Sequence, residues 1–457
     1  MKGKSMRIDR SACYVLTVLV LTLCLNNAHA QQPKPSSPAT PSAAAHRALD
    51  LTPVKPESVG FSSERLENLH KLIQDEIDQK HLVGAVTILA RHGKIVEYRT
   101  YGQRDLATST PMTRDTIFRD YSMTKPITGV AMMVLYEQGK WLPNDPISKY
   151  IPEFAHLKVQ NGVDADGKSI LVDPDHAPTM RELLTHTAGF SYGREKSPAD
   201  AMYSDLKVMQ SANLQEMIDK LATIPLLYQP GKGWLYSASM DIQGYIVEKL
   251  SGQSLPDFDR EHIYTPLGMR DAGFFVPADK RKRFATNYYS DPQGNLKPGP
   301  TADGIPTDYA TQPTMASGGG GMVSTAEDYY RFAQMLANGG QLEGKRVLAP
   351  STVKLMTSPH VAESLLTGEF GIGMSVIRPG FSWGYDCAVI FDPAAANLSD
   401  GKGTFFWDGA AGTWFFVDPT NDIVFVSMIQ RMTSPDNHSL MYRSHAVIDQ
   451  ALVDPAE

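Results

Sequence analysis

The strand signals of this chain lie at its two ends, and a long helix-rich stretch separates them. Near the start, residues 83–89 and 95–101 are β-rich runs split by Arg91-His92-Gly93-Lys94, the pattern of a hairpin. Near the end, residues 371–377, 403–407, 413–417 and 423–429 are short runs of strand formers with turn residues between them. From about 139 to 311 strand signals are few, and helical segments near 180–185, 214–222 and 241–250 are joined by loops rich in Pro and Gly. A lone hairpin is marginal in water. Early and late strands are therefore expected to complete one sheet, with the helical stretch inserted. Helices over 61–79, 325–338 and about 444–452 belong with that sheet; the first carries Leu66, Leu69, Leu72, Ile73 and Ile77 behind an N-cap at Ser62 or Ser63.

The fold class is thus α+β, with an α/β lobe of about 59–140 and 312–457 and a mainly helical lobe of about 141–311. The first 30 residues are a separate object. Lys2, Lys4, Arg7 and Arg10 precede an apolar run from Tyr14 to Leu25, and Ala28-His29-Ala30 follows. That is the order of a secretory signal peptide cut after Ala30, which places the mature chain in the periplasm or the medium. The apolar run is too short for a stable membrane span. Leu23 stands where lipid attachment at Cys24 calls for a small residue. Residues 31–58, rich in Pro, Ser and Ala, are expected to be a disordered linker. Past the signal peptide only Cys387 remains, so no internal disulfide is available and the core must hold the fold. Cys387 has no neighbouring cation to stabilise a thiolate and reads as a buried strand residue. The net charge of −7 becomes more negative once the basic leader is removed, which argues against nucleic acid or an anionic membrane as partner.

Chemistry is concentrated at Phe118-Arg119-Asp120-Tyr121-Ser122-Met123-Thr124-Lys125-Pro126. Behind it, Ile127, Val130, Ala131, Val134 and Leu135 fall at helical spacing, and Gly139 suits the helix end. Pro126 is tolerated only in a first turn, so Ser122 sits at or just inside a helix N-terminus. Lys125, three residues on, shares its face. The helix end disfavours an ammonium and offers a backbone N–H to an oxyanion. Ser-x-x-Lys also occurs at Ser204–Lys207 and Ser351–Lys354. The first lies in a polar stretch, and the second reads as an N-cap with a surface lysine.

Other segments carry weaker signals. Gly189-Phe190-Ser191-Tyr192-Gly193 has the spacing of a nucleophile elbow, but a helix precedes it and polar loop follows, the reverse of what an elbow needs. Gly318–Gly321 lacks the Lys-Ser/Thr of a phosphate loop and reads as a flexible bend. Tyr236 follows the Pro230-Gly231 turn just before a helix, where a phenol beside a lysine can shuttle a proton. Trp407-Asp408-Gly409-Ala410 interrupts two strands, where small residues leave N–H groups open.

Together Ser122-Met123-Thr124-Lys125, Leu183-Leu184-Thr185-His186-Thr187-Ala188-Gly189, Tyr236-Ser237 and Trp407-Asp408-Gly409 stand in the order and spacing of the serine β-lactamase-like hydrolases. From about residue 55 onward the chain resembles most closely the class C β-lactamase-related family VIII carboxylesterases. The resemblance implies an antiparallel sheet with an all-helical lobe and a site between them. It implies Ser122 as acyl-accepting nucleophile, Lys125 as its proton acceptor and Tyr236 as general base and acid. The Ser122 and Ala410 N–H groups would form the oxyanion hole, and Trp407, Asp408 and Gly409 would bind substrate. It gives His186 a structural place. Two departures matter. Tyr236-Ser237-Ala238 lacks the Asn of Tyr-x-Asn, and Trp407-Asp408-Gly409 replaces Lys-Thr-Gly. The amide for an acylamido group and the cation for a carboxylate are both missing, so a small-molecule ester is favoured over a β-lactam or D-amino-acid peptide. The rival readings are a β-lactamase or D-amino-acid peptidase, a non-catalytic receptor for cell-wall fragments, and an α/β-hydrolase using Ser191. No cofactor or metal is implied, because no His or Cys pair or acidic cluster has ligand spacing. Oligomeric state is not legible.

Overall fold

A computed structural model describes residues 48–299, 309–366, 377, 379–432, 434 and 436–454. The signal peptide, most of the linker and, but for residue 377, the strand expected over 371–377 lie outside the described residues. The linker expected through residue 58 ends earlier. Leu49, Leu51 and Val54 pack on the core, and the Val54 N–H donates to Ile95 O at 2.8 Å. The Pro/Ser/Ala composition stops before these alternating apolar residues, which have core surface to cover.

Helix α1 (Ser63–Asp78) is capped by the Ser62 hydroxyl and buries Leu66, Leu69, Leu72 and Ile73. Strands β1 (Gly84–Arg91) and β2 (Lys94–Asp105) form the expected hairpin. His92 and Gly93 both have positive φ (53° and 65°), the turn geometry whose twist matches the flanking strands. A short β3 (Thr110–Pro111) lies beyond β2. Strand β4 (Ile117–Arg119) leads through a single 3₁₀ turn, Tyr121–Met123, into α2 (Thr124–Glu137). The sequence shows one apolar stripe on α2, yet every residue from Thr124 to Leu135 is buried. Helices of the inserted stretch enclose it on the sides that the stripe leaves bare.

That stretch contains α3 (Met180–Leu184), α4 (Pro198–Asp205), α5 (Leu214–Leu221) and α6 (Ser239–Ser251). It is not all-helical. Two antiparallel hairpins, Val159–Val163 with Ser169–Val172 and Tyr288–Ser290 with Leu296–Pro298, interrupt it. Their turns hold Gly167 and Gly294 at positive φ, a local signal too brief to outweigh the surrounding helical pattern.

Strand β5 (Val323–Thr325) pairs with β4, Phe118 opposite Ser324, and leads into α7 (Ala326–Ala337). The main sheet closes with β6 (Phe381–Trp383), β7 (Ala388–Ile390), β8 (Thr404–Asp408), β9 (Trp414–Asp418) and β10 (Ile423–Met428). Its order is β6-β7-β8-β9-β10-β1-β2-β3. The joint between the two ends of the chain is the antiparallel β10–β1 pair, with Val86 opposite Met428 and Arg91 opposite Ile423. The last helix, α8, runs Asp436–Asp449 and begins before the expected 444, because the polar first turn masks a buried face of Leu440 and Met441. Among the described residues no helix is long and apolar enough to cross a membrane.

Candidate active site

The β4–β5 ribbon delivers the chain to Asp120, whose N–H donates to Met322 O at 3.0 Å. The next residue, Tyr121, is fully buried at φ +47°. A bulky side chain in the left-handed region is strained by roughly 1–3 kcal/mol and persists only where packing dictates it. Tyr121 is held among Ala410, Ala411 and Met432, and its hydroxyl accepts from Asn287 Nδ2 at 3.3 Å. The kink turns Ser122 outward. From Asp120 to Leu135, Ser122 alone is not buried.

Lys125 lies one turn on, 1% exposed, with Nζ 3.1 Å from Ser122 Oγ and 2.6 Å from Gly319 O. Burial lowers its pKa to about 7, although the Asp241, Asp386 and Asp408 charges pull the other way. Loss of hydration, more than the helix end, is thus what makes the amine basic at neutral pH. A neutral amine can donate one N–H to Gly319 O and turn its lone pair to the Ser122 hydroxyl.

Gly319 is the residue that sequence reasoning missed. Gly318–Gly321 is no flexible bend. Gly321 N–H donates to Ser317 O, and Gly318 O accepts from Thr128 Oγ1 at 2.8 Å. The Asp241 carboxylate accepts from Ser317 Oγ at 2.5 Å and from the Gly319 N–H at 3.2 Å. A Cβ at Gly319 would come 2.7 Å from both Asp241 Oδ2 and Tyr192 Oη. Only glycine lets this carbonyl approach the lysine. The run of four glycines was the one available signal; nothing local ties it to a lysine 194 residues away.

Tyr236, in the loop before α6, is 6% exposed and reaches the same point. Its ring centroid is 4.5 Å from Lys125 Nζ, and the Ser122 hydroxyl favours its ionised form. Burial raises its pKa well above 10, so the resting side chain is a phenol, which suits a proton donor better than a first base. Trp407 was expected to face substrate, yet it is 1% exposed. Its indole Nε1–H donates to Tyr236 Oη at 3.0 Å, and its ring packs edge-on to Trp383 at 4.5 Å. It touches Tyr236 rather than the open cleft. Gly409 likewise offers no free donor, since its N–H is engaged by Thr413 O at 2.7 Å. Its lack of a side chain is what matters, because a Cβ would collide with Asp120 O and Thr413 Oγ1. Asp408 is partly exposed and bonded to His438 Nε2 at 2.8 Å. Ala410 packs against Tyr121, and among the described residues neither its N–H nor that of Ser122 is engaged.

His186 is buried behind Tyr236, ring centroids 4.8 Å apart. Its Nδ1 accepts from the Ser237 N–H at 3.1 Å, and burial pushes its pKa well below 6.5. It is a neutral support and not a base on Ser122. Ser191 is 1% exposed and donates to the Asp200 carboxylate, with no strand leading into it. The useful residue of that glycine-flanked segment is Tyr192, whose ring lies 5.5 Å from Lys125 Nζ. Ser204 sits near the end of α4 with Lys207 at φ +50° beyond it, and Ser351 lies inside the helix Pro350–Met356 whose N-cap is Ala349. Neither pair approaches another functional group of the site.

The β-lactamase family model matches residues 69–450, most of the chain. An uncharacterized protein of Mycobacterium tuberculosis is 37% identical over 368 residues, covering 78% of this chain and 88% of its own length. Esterase EstB of Burkholderia gladioli is 33% identical over 371 residues, covering 77% of this chain and 86% of its own. Among solved structures, EstCE1, described as a hydrolase with promiscuous acyltransferase activity, superposes with a TM-score of 0.70 at 28% identity, covering 85% of this chain and 98% of that one. The antiparallel sheet, the serine on its short turn and these relatives agree: the chain belongs to the β-lactamase family, as a carboxylesterase-like serine hydrolase.

Proposed function

We propose that the protein is an exported esterase that cleaves small carboxylic esters through an acyl-enzyme on Ser122. The observation that carries this is the partly exposed Ser122 hydroxyl 3.1 Å from the buried Lys125 amine. Neutral Lys125 takes the hydroxyl proton as Oγ attacks the ester carbonyl. The oxyanion that forms is held by the Ser122 and Ala410 N–H groups. Collapse breaks the bond to the alkoxide, which leaves with the Tyr236 proton; the Lys125 ammonium returns a proton to the phenolate. Water then attacks the acyl-enzyme while the same pair takes its proton, releasing the acid and restoring Ser122. Donation from Trp407 to Tyr236 Oη eases the phenolate stage.

Ester over lactam is supported by two features. Ala238 stands where the amide would be and the neighbouring Ser237 Oγ is engaged with His186 and Ser239, and the group beside Trp407 is a carboxylate, not an ammonium. The catalytic domain in this reading is the α/β lobe of about 59–140 and 312–457 with 141–311 inserted, released by cleavage after Ala30.

Intact-mass labelling with a fluorophosphonate, a p-nitrophenyl ester assay and the mass of the exported protein test this together. The wild type is expected to label once and to hydrolyse short esters, Ser122→Ala to do neither, and Ser191→Ala to do both. Ester turnover unchanged in Ser122→Ala sinks the mechanism. Nitrocefin turnover without ester turnover favours a β-lactamase instead, and failure to label favours a receptor.

A further inference from the structure

Asp408 ends β8, one residue after the indole that bonds Tyr236 and two before Ala410. Its Oδ2 accepts from His438 Nε2 at 2.8 Å, and among the described residues its Oδ1 has no hydrogen-bond partner. The carboxylate is 15% exposed and the His438 ring 28%. Both Lys125 and Tyr236 feel its negative charge. A donated imidazole N–H fixes one carboxylate oxygen and leaves the other directed elsewhere.

The remaining charges near Ser122 are few. Asp241 and Asp386 are fully buried, and burial pushes both toward the protonated form. Lys125 is buried and engaged with Gly319 O. Arg194 is exposed and acts on Lys125 more weakly than Asp408 does. The stronger accessible charge at the site is therefore negative.

The geometry points to Asp408, oriented by His438, as a specificity-determining residue that accepts an alkylammonium group of the ester and disfavours a carboxylate. This rests on the esterase reading above and names its substrate class. A charge at contact range of a carboxylate only 15% exposed changes binding of a second charge by about tenfold or more.

The probes are three p-nitrophenyl esters of equal acyl length ending in methyl, carboxylate or trimethylammonium, assayed at about pH 8, above the ordinary imidazole range. Wild-type kcat/KM is expected to fall in the order ammonium, methyl, carboxylate, and raised salt to compress the spread. Asp408→Asn should lower the ammonium-to-carboxylate ratio about tenfold, and Asp408→Lys should invert the preference. Arg194→Gln should move the ratio the opposite way. Wild-type preference for the carboxylate ester overturns the inference without any variant. So does a ratio that responds to Arg194→Gln and not to Asp408→Asn. No hydrolysis of the methyl-ended ester is a different result, since it removes the esterase reading itself.

Discussion

Replacing Lys125 with methionine tests the electrostatic reasoning at its centre. The burial that makes this lysine a base also makes it costly to the fold. Its pKa falls from 10.5 to about 7 because the ammonium loses its hydration. At about 1.4 kcal/mol per pH unit, that is about 5 kcal/mol against the charged form. In the unfolded chain the proton is held up to the ordinary lysine pKa; in the folded chain it is released near 7. Between those values the unfolded state binds more protons, so wild-type stability rises with pH there, and below about 7 the full penalty stands. Methionine fills a similar volume without it, but leaves Gly319 O without its donor, a loss of about 1–3 kcal/mol. Lys125→Met is therefore expected to be about 2 kcal/mol more stable than wild type at pH 7, an advantage that shrinks by about 1.4 kcal/mol per pH unit and vanishes near pH 9. Urea denaturation of both proteins at several values from about pH 6 to pH 9 measures the difference directly. Over the same range wild-type kcat/KM should rise about tenfold per unit up to about pH 7 and then level off, while the variant loses about 100- to 10,000-fold in turnover. A stability difference flat between pH 7 and pH 9, or a less stable variant at pH 7, would refute burial as the source of the basicity.

Trp407→Phe keeps a ring against Trp383 but removes the N–H on Tyr236 Oη, so kcat should drop about 10- to 100-fold with KM nearly unchanged in steady-state assays. Gly409→Ala drives a Cβ into Asp120 O and Thr413 Oγ1, neither free to retreat; a stability loss of about 1–3 kcal/mol and slowed fluorophosphonate labelling should appear together. Asp400 Oδ1 lies 2.5 Å from His445 Nδ1 in the core. Burial opposes the His445 cation, but Asp400, joined by the Asp449 and Asp418 charges, outweighs it and the His445 pKa is raised. Stability from this pair is present below the ordinary imidazole pKa and lost as pH rises through the raised one, so Asp400→Asn should cost about 3 kcal/mol near pH 6 and less near pH 9, read by denaturation.

The elements that proved legible are those whose cause is local. Ser62 caps a helix whose apolar residues recur at helical spacing. His92-Gly93 makes a two-residue turn, and Pro126 confines Ser122 to a helix start. The order of the Ser122, Tyr236 and Trp407 segments was enough to identify the fold class and to single out Ser122 as the candidate nucleophile. Where reading failed, the reason was distance along the chain or a surface not visible in one segment. The tail of the linker is ordered because β2 and the core, distant in sequence, offer it partners. The two small hairpins of the inserted stretch are too short to announce themselves.

What the residues determined alone is therefore the presence of a serine and a lysine three apart on one helix face, among three such spacings. The apolar helix behind Ser122 already favoured one of the three, and tertiary structure supplied its surroundings. It removed water from Lys125, set Gly319 O on its nitrogen across 194 residues of chain, and set the Trp407 N–H on Tyr236 across 171. Spacing on one helix is dictated by backbone geometry within a turn. Desolvation and long-range hydrogen bonds exist only once the sheet has closed through β1 and β10 and brought the distant loops to one point.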